Sequence, residues 1–222
     1  LNDDLLDLLL TGLGETVYMV VFSTAVALVL GLPLGIILVV TEKGYVLEAL
    51  KFNKILGTLI NVVRSFPDII LIVVLLPLAR FIVGTTLGST AALVPLSIGA
   101  APFIARIIEN CLKEVSFGKI EAAMAIGANP LTIITKVLIP EALPSLIRGI
   151  TIAVIAITGM TAVAGAIGAG GLGSLAIRFG YMRFRDDVML ATVVTLIILV
   201  QGVQWGGDYL AKYINRKRYK FD

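Results

Sequence analysis

The chain has 222 residues, 58% hydrophobic and 15% charged, with a formal net charge of +3. A water-soluble domain carries about 25% charged residues, so this balance excludes an ordinary soluble core and points to lipid as the solvent; so small a net charge also argues against nucleic acid as a partner. There is no histidine and a single cysteine, Cys111, which removes the commonest general base, the commonest metal ligand and any intramolecular disulfide.

The chain opens on LNDDLLDLLLTGLGE. Leucines mixed with Asp3, Asp4 and Asp7, and no small-residue cleavage pattern, predict a short helix on the outer membrane surface rather than a signal peptide. A bilayer core takes about 20 apolar residues in a helix. On that scale five spans are expected, near residues 15–41, 55–78, 89–112, 143–166 and 188–212, in one transmembrane domain covering residues 1–222. Their apolar residues run nearly all round, as in lipid-embedded or bundle-buried helices. With the N-terminus outside, the cytoplasmic segments hold Lys43, Lys51 and Lys54, then Arg106 through Arg148, then the tail NRKRYK. The outer segments hold only Arg80, Arg178, Arg183 and Arg185. That asymmetry follows the positive-inside rule and makes the C-terminus cytoplasmic. The fold class expected is an all-α integral membrane protein.

Between the third and fourth spans stands EAAMAIGANPLTIITKVLIP, residues 121–140. Residues from Phe117 to Ile126 suit one short helix, and Gly127 suits its left-handed end. Asn129 suits the N-cap and Pro130 the first position of a second helix, which runs to about Leu138 before Pro140 and Pro144 stop it. Leu131, Ile134, Val137 and Leu138 keep helical spacing and predict one apolar face. The small pair Ala122 and Ala123 allows close approach to a groove, and Glu121, near the helix start, offers a charged contact. Coupling helices are therefore expected over about 117–138, either as a knob docking on a cytoplasmic partner or as an interfacial helix between spans.

Glu121-Ala122-Ala123, Gly127, Val137 and Ile139-Pro140 stand at the spacing of the EAA loop of type I ABC importer permeases, with Val137 and Ile139 where the family pattern has Ile and Leu. GLPLGI at residues 31–36, VRSFP at 63–67, VPLSIGAAPFIARIIEN at 94–110 and GAIGAGGLG at 165–173 are similar to the permeases of methionine uptake transporters. The resemblance covers nearly the whole chain. It implies a type I permease fold and a homodimer bound to two copies of an ABC ATPase that carries the ATP and magnesium. It also implies an extracytoplasmic methionine-binding protein that delivers substrate, and a place in the bacterial cytoplasmic (inner) membrane. Glu121, Ala122, Ala123, Gly127, Asn129 and Pro130 then become the ATPase-coupling residues. The permease itself is implied to be a translocation subunit rather than an enzyme, with no cofactor or metal of its own.

Gly168-Ala-Gly170-Gly-Leu-Gly173 satisfies G-x-G-x-x-G, but its glycines end a predicted span and no βαβ unit surrounds them. Gly165, Gly168, Gly170, Gly171 and Gly173 are instead expected to serve close packing or irregular backbone beside a cavity, and Gly31 and Gly35 have helix-packing spacing. No G-x-x-x-x-G-K-[ST] occurs, so ATP dependence has to come through a partner. Arg64 and Asp68, four residues apart in the second span, are expected to share a face and pair. With Ser65 and Pro67 they either line the transport path or its gate, or Arg64 reaches the headgroups and Asp68 neutralises it. Met160, Thr161 and Val163 are candidates for the pathway wall, with plain helix packing the alternative. Arg106 and Glu109 are expected to anchor the cytoplasmic end of the third span. The outer cluster of Arg178, Arg183, Arg185, Asp186 and Asp187 either receives a binding protein or is a solvated loop. The function expected is ATP-driven methionine import, including D-methionine and derivatives. The alternatives are the same machine for another amino acid, an osmolyte or a phosphonate, and more remotely an ATPase-independent channel or a membrane enzyme.

Overall fold

The computed structural model describes residues 3–218, and every element among them is helical. In chain order these are α1 (Asp3–Val40), α2 (Leu50–Arg64), α3 (Asp68–Val83), α4 (Ser89–Lys113), α5 (Phe117–Ala125), α6 (Pro130–Thr132), π1 (Ile133–Leu138), α7 (Ile139–Ala164), π2 (Gly165–Ala169), α8 (Gly171–Leu175), π3 (Ala176–Tyr181) and α9 (Asp186–Arg218). Lys220 of the basic tail and the side chains of Asp3, Lys217 and Arg218 lie outside the described residues.

Helix α1, helix α4, the run from Pro130 to Ala169 and helix α9 are each long and apolar enough to cross a membrane. The stretch 55–78, read above as one span, is broken into α2 and α3, which make a crossing only when counted together. Pro67 is the cause. It cannot donate an N–H to a continuing helix, and its ring disfavours helical backbone at Phe66. Pro67 itself is extended, with ψ 137°, and caps α3 from outside.

The described chain packs as two compact units. Of the described residues, one takes 3–27, 66–100 and 154–204. Its apolar centre joins Leu5 and Leu9 of α1 to Leu172 and Leu175 of α8 and Val188 of α9. The other takes 28–65, 101–153 and 205–218. There Leu38 of α1, Ile60 of α2 and Ala105 of α4 form the centre. Gly31 and Gly35, one turn apart, let this part of α1 lie backbone-to-backbone on α4. A Cβ on either would stand 2.7 Å from a carbonyl oxygen, that of Ala101 or of Ala105. Lipid gives no hydrophobic drive to join two apolar helices, so close van der Waals approach through small residues does it instead. This second unit also carries the hook.

Candidate functional site

The hook is built by local capping chemistry. α5 ends in a left-handed turn at Gly127, φ +78°. There the Gly127 N–H donates to the Met124 carbonyl at 2.9 Å and the Ala128 N–H to the Ala123 carbonyl at 3.1 Å. These two bonds satisfy the last carbonyls of the helix in the Schellman pattern. Asn129 then accepts a hydrogen bond from the Thr132 N–H at 2.8 Å on its Oδ1, and Pro130 takes the first helical position. A residue with φ below zero at 127 would break the elbow, and without an acceptor at 129 the second helix would lose its start.

The faces of the hook are unequal. Ile120, Ala123, Ile133 and Leu138 are buried against the unit, whereas Ile126 is 85% and Leu131 69% exposed. Two large apolar side chains thus stand in the open on a firmly capped elbow. Glu121 and Ala122 share the exposed side, while Ala123 turns inward, so the alanine pair divides its work. Three expectations change here. Leu131 does not belong to the buried face. Glu121 lies in the middle of α5, which starts at Phe117, so the helix dipole does little for it. And the second helix does not stop at Pro140. It continues through π1 into α7, the Ile139 N–H donating to the Ile134 carbonyl five residues back. A widened turn just before Pro140 relieves the clash between its ring and the carbonyl one turn earlier, and it rotates the preceding residues relative to α7.

The base of the hook is tied down by rings and charges. The Tyr45 ring meets Phe117 edge-on at 5.7 Å. Burial pushes the Tyr45 phenol above its usual value, the Glu42 carboxylate adds to this and Lys113 opposes it, so the phenol stays neutral at physiological pH. Arg106 donates to the Glu109 carboxylate at 2.6 Å and to the Gly57 carbonyl at 2.8 Å. Glu109, only 7% exposed, also pairs with Lys113 at 2.9 Å, and Lys113 reaches Glu42 at 2.8 Å. A carboxylate this buried is tolerable because two cations compensate it. The network ties the end of α4 to the middle of α2 and to Glu42, just past the end of α1.

The other candidate residues are placed as follows. Arg64 and Asp68 fall on two helices, and the pair is not among the ion pairs of the described residues. Arg64 lies over the Phe103 ring at 6.0 Å, and Ser65 donates to the Asn61 carbonyl at 2.8 Å. Arg64, Ser65, Pro67 and Asp68 are all exposed. Met160 and Thr161 are buried: the Met160 methyl fills the space over Gly99, and Thr161 donates to the Thr158 carbonyl at 2.7 Å. Val163 is half-buried. In the outer cluster Arg185 pairs with Asp187 at 2.6 Å, and Arg183 lies over the Phe179 ring at 4.8 Å.

The glycine-rich segment forms a sharp break followed by a new helix. Gly168, Gly170 and Gly171 have φ of +103°, +85° and +75°. Gly165 faces Gly170 and Ser174 so closely that a Cβ would stand 2.5 Å from the Ser174 nitrogen, and Gly173 lies against the backbone of Ala162. Two residues of α1 start the new helix. The Gly171 N–H donates to the Glu15 carboxylate at 2.5 Å and the Leu172 N–H to the Thr16 hydroxyl at 2.9 Å. Sequence reasoning missed this role for Glu15 and Thr16. The one available hint was a carboxylate at the edge of an apolar span, which needs a partner.

Comparison with known proteins gives the architecture its place. A chain from an inward-facing structure of the MetNI methionine ABC transporter superposes with a TM-score of 0.95 at 43% identity, over 96% of this chain and 99% of that one. A chain of an amino acid ABC transporter solved with histidines shares the fold at a TM-score of 0.75 and 18% identity. The fold is that of a type I ABC importer permease. The probable D-methionine transport permease MetI of Vibrio cholerae is 48% identical over 95% of this chain and 94% of its own length. The D-methionine transport permease MetI of Escherichia coli K12 is 45% identical over 70% of this chain and 71% of its own. The chain belongs to the family described as binding-protein-dependent transport system inner membrane component, whose model matches residues 31–218.

Proposed function

We propose that this chain is the membrane-spanning permease of an ATP-driven methionine importer, handling L-methionine and also its D-isomer and derivatives. Two copies form the translocation path, each hook seats on one of two ABC ATPase subunits, and an extracytoplasmic binding protein supplies substrate. The chain crosses the bacterial cytoplasmic membrane five times, α2 and α3 counted as one broken crossing, with the N-terminus outside. ATP and magnesium belong to the ATPase, and the permease adds no cofactor.

The observation that carries this reading is the hook. Ile126 and Leu131 stand exposed on an elbow whose other face is anchored by Ile120, Ala123 and Ile133. A rigid knob of this kind transmits displacement, with Glu121, Ala122, Gly127, Asn129 and Pro130 shaping its surface. The substrate assignment is supported by the relatives named for D-methionine transport and the similar MetNI structure. Arg64 and Ser65 at the end of α2, and Pro67 and Asp68 at the start of α3, are assigned to the path or its gate. Met160 and Thr161 support it by packing, with Val163 beside them.

Uptake of labelled methionine into proteoliposomes holding this chain, its co-encoded ATPase and its binding protein tests the function. ATP-dependent uptake that needs all three components is the expected result. Competent ATPase assembly without methionine uptake would overturn the substrate assignment, and uptake without the ATPase would overturn the importer.

A further inference from the structure

The hook is joined to α7 twice. The covalent route passes through Gly127 in the left-handed region and then through π1, where a backbone N–H reaches five residues back. Along this route α5 and α7 are joined only through two changes of backbone geometry, the left-handed turn and the widened turn.

The second route is made of side chains. Lys119 of α5 lies 2.7 Å from the Glu141 carboxylate in the first turn of α7. One helical turn further along α7, the Ser145 hydroxyl donates to the Glu114 carboxylate. The Cys111 thiol donates to the Ser145 carbonyl at 3.3 Å. Positions 141 and 145 share a helix face, so these contacts hold the stretch from Cys111 to Lys119 against one side of α7. Val115 and Ala142, both buried, line the cleft of about 260 Å³ that these contacts border. An exposed ion pair adds little to stability, and what it can supply instead is register.

We propose that Lys119 with Glu141, and Glu114 with Ser145, form a clasp that makes α5 and the first turns of α7 move as one body. The hook's displacement then reaches the membrane-crossing part of α7 through these side chains as well as through the elbow. The inference rests on the coupling reading given above. Lys119 and Glu141 are positioning residues: they act through the helices they join.

The test is uptake and ATP hydrolysis measured together in proteoliposomes of the full complex. Lys119→Glu and Glu141→Lys each set like charges face to face. Each should lower the methionine taken up per ATP hydrolysed several-fold while hydrolysis continues, and the double exchange K119E/E141K should restore the ratio. Unchanged ratios in the single variants, or a double exchange that does not restore coupling, would overturn the clasp. If a reversal prevents ATPase assembly, Lys119→Gln and Glu141→Gln remove the attraction without repulsion, and a smaller fall in the same ratio is expected; no fall would overturn it. A readout independent of substrate uses a short bis-maleimide across K119C and E141C, Cys111 being buried. ATP hydrolysis should be the same before and after bridging, whereas arrest would show that the pair must part in the cycle. Wild-type complex that hydrolyses ATP but imports no methionine would fail the substrate assignment, and the bridging result would then decide the clasp.

Discussion

Gly127 stands at φ +78° with nothing within 4 Å of the place a Cβ would occupy. A side chain there meets no neighbour, so its whole cost is conformational, about 1–2 kcal/mol for an L-residue held left-handed and more when β-branched. Gly127→Val should therefore alter the elbow while leaving the spans and their packing intact. Membrane levels measured by immunoblot should match wild type, and the ATPase should still co-purify. Gly127, Asn129 and Pro130 were legible in the sequence because capping is local: the residue that needs a left-handed backbone and the one that needs a side-chain acceptor lie within a turn of the groups they serve. Glu15 was not legible in that way. Its partner, the Gly171 N–H, is 156 residues away, and no spacing rule reaches across that separation. Glu15→Ala removes an acceptor from the start of α8 and should cost about 1 kcal/mol, read as a lower unfolding midpoint in detergent. Glu15→Gln keeps an oxygen in place and should recover part of that loss.

At the scale of elements, the contact of α1 on α4 in the second unit depends on two glycines. Gly35→Val would put a branched side chain against the Ala105 carbonyl and the Ile108 side chain, 2.7 and 2.8 Å from its Cβ, and the helices would have to part. Overpacking of this kind costs about 1–3 kcal/mol. The variant should show reduced thermal stability in detergent and loss of uptake together, in contrast to Gly127→Val, which should lose coupling with stability kept. The glycine spacing that produces this contact could be read from the sequence. The break between α2 and α3 was misread, because hydropathy registers only that residues 55–78 are apolar, while Pro67 decides whether they can be one helix. With the break, Arg64 and Asp68 lose the shared face that a continuous helix would have given them. The register of the second hook helix failed for a related reason. A strict 3.6-residue count places Leu131 with the buried residues, but the wide turn of π1 ahead of Pro140 rotates it outward to 69% exposure.

At the scale of the molecule, composition carries most of the information: low charge and long apolar runs leave a helical membrane protein as the economical solution, since every backbone group in lipid needs an internal partner. The orientation proposed from where the basic residues lie can be checked directly. Ile126→Cys is an exposed position on a chain whose native cysteine is buried. A membrane-impermeant thiol reagent should label it in inside-out vesicles lacking the ATPase and not in intact cells; labelling from outside would reverse the topology. What composition cannot carry is the way the hook is tied to its span, because Glu42 and Glu141 look in sequence like ordinary solvated acids until the fold brings Lys113 and Lys119 against them.

The central claim is that the hook passes the work of a partner ATPase to the permease. It is tested most directly by the number of methionine molecules imported per ATP hydrolysed, measured in the same proteoliposomes for wild type and Gly127→Val. Hydrolysis that continues while uptake falls by an order of magnitude or more is the predicted result. Uptake per ATP equal to that of wild type, with the variant fully assembled, would contradict it.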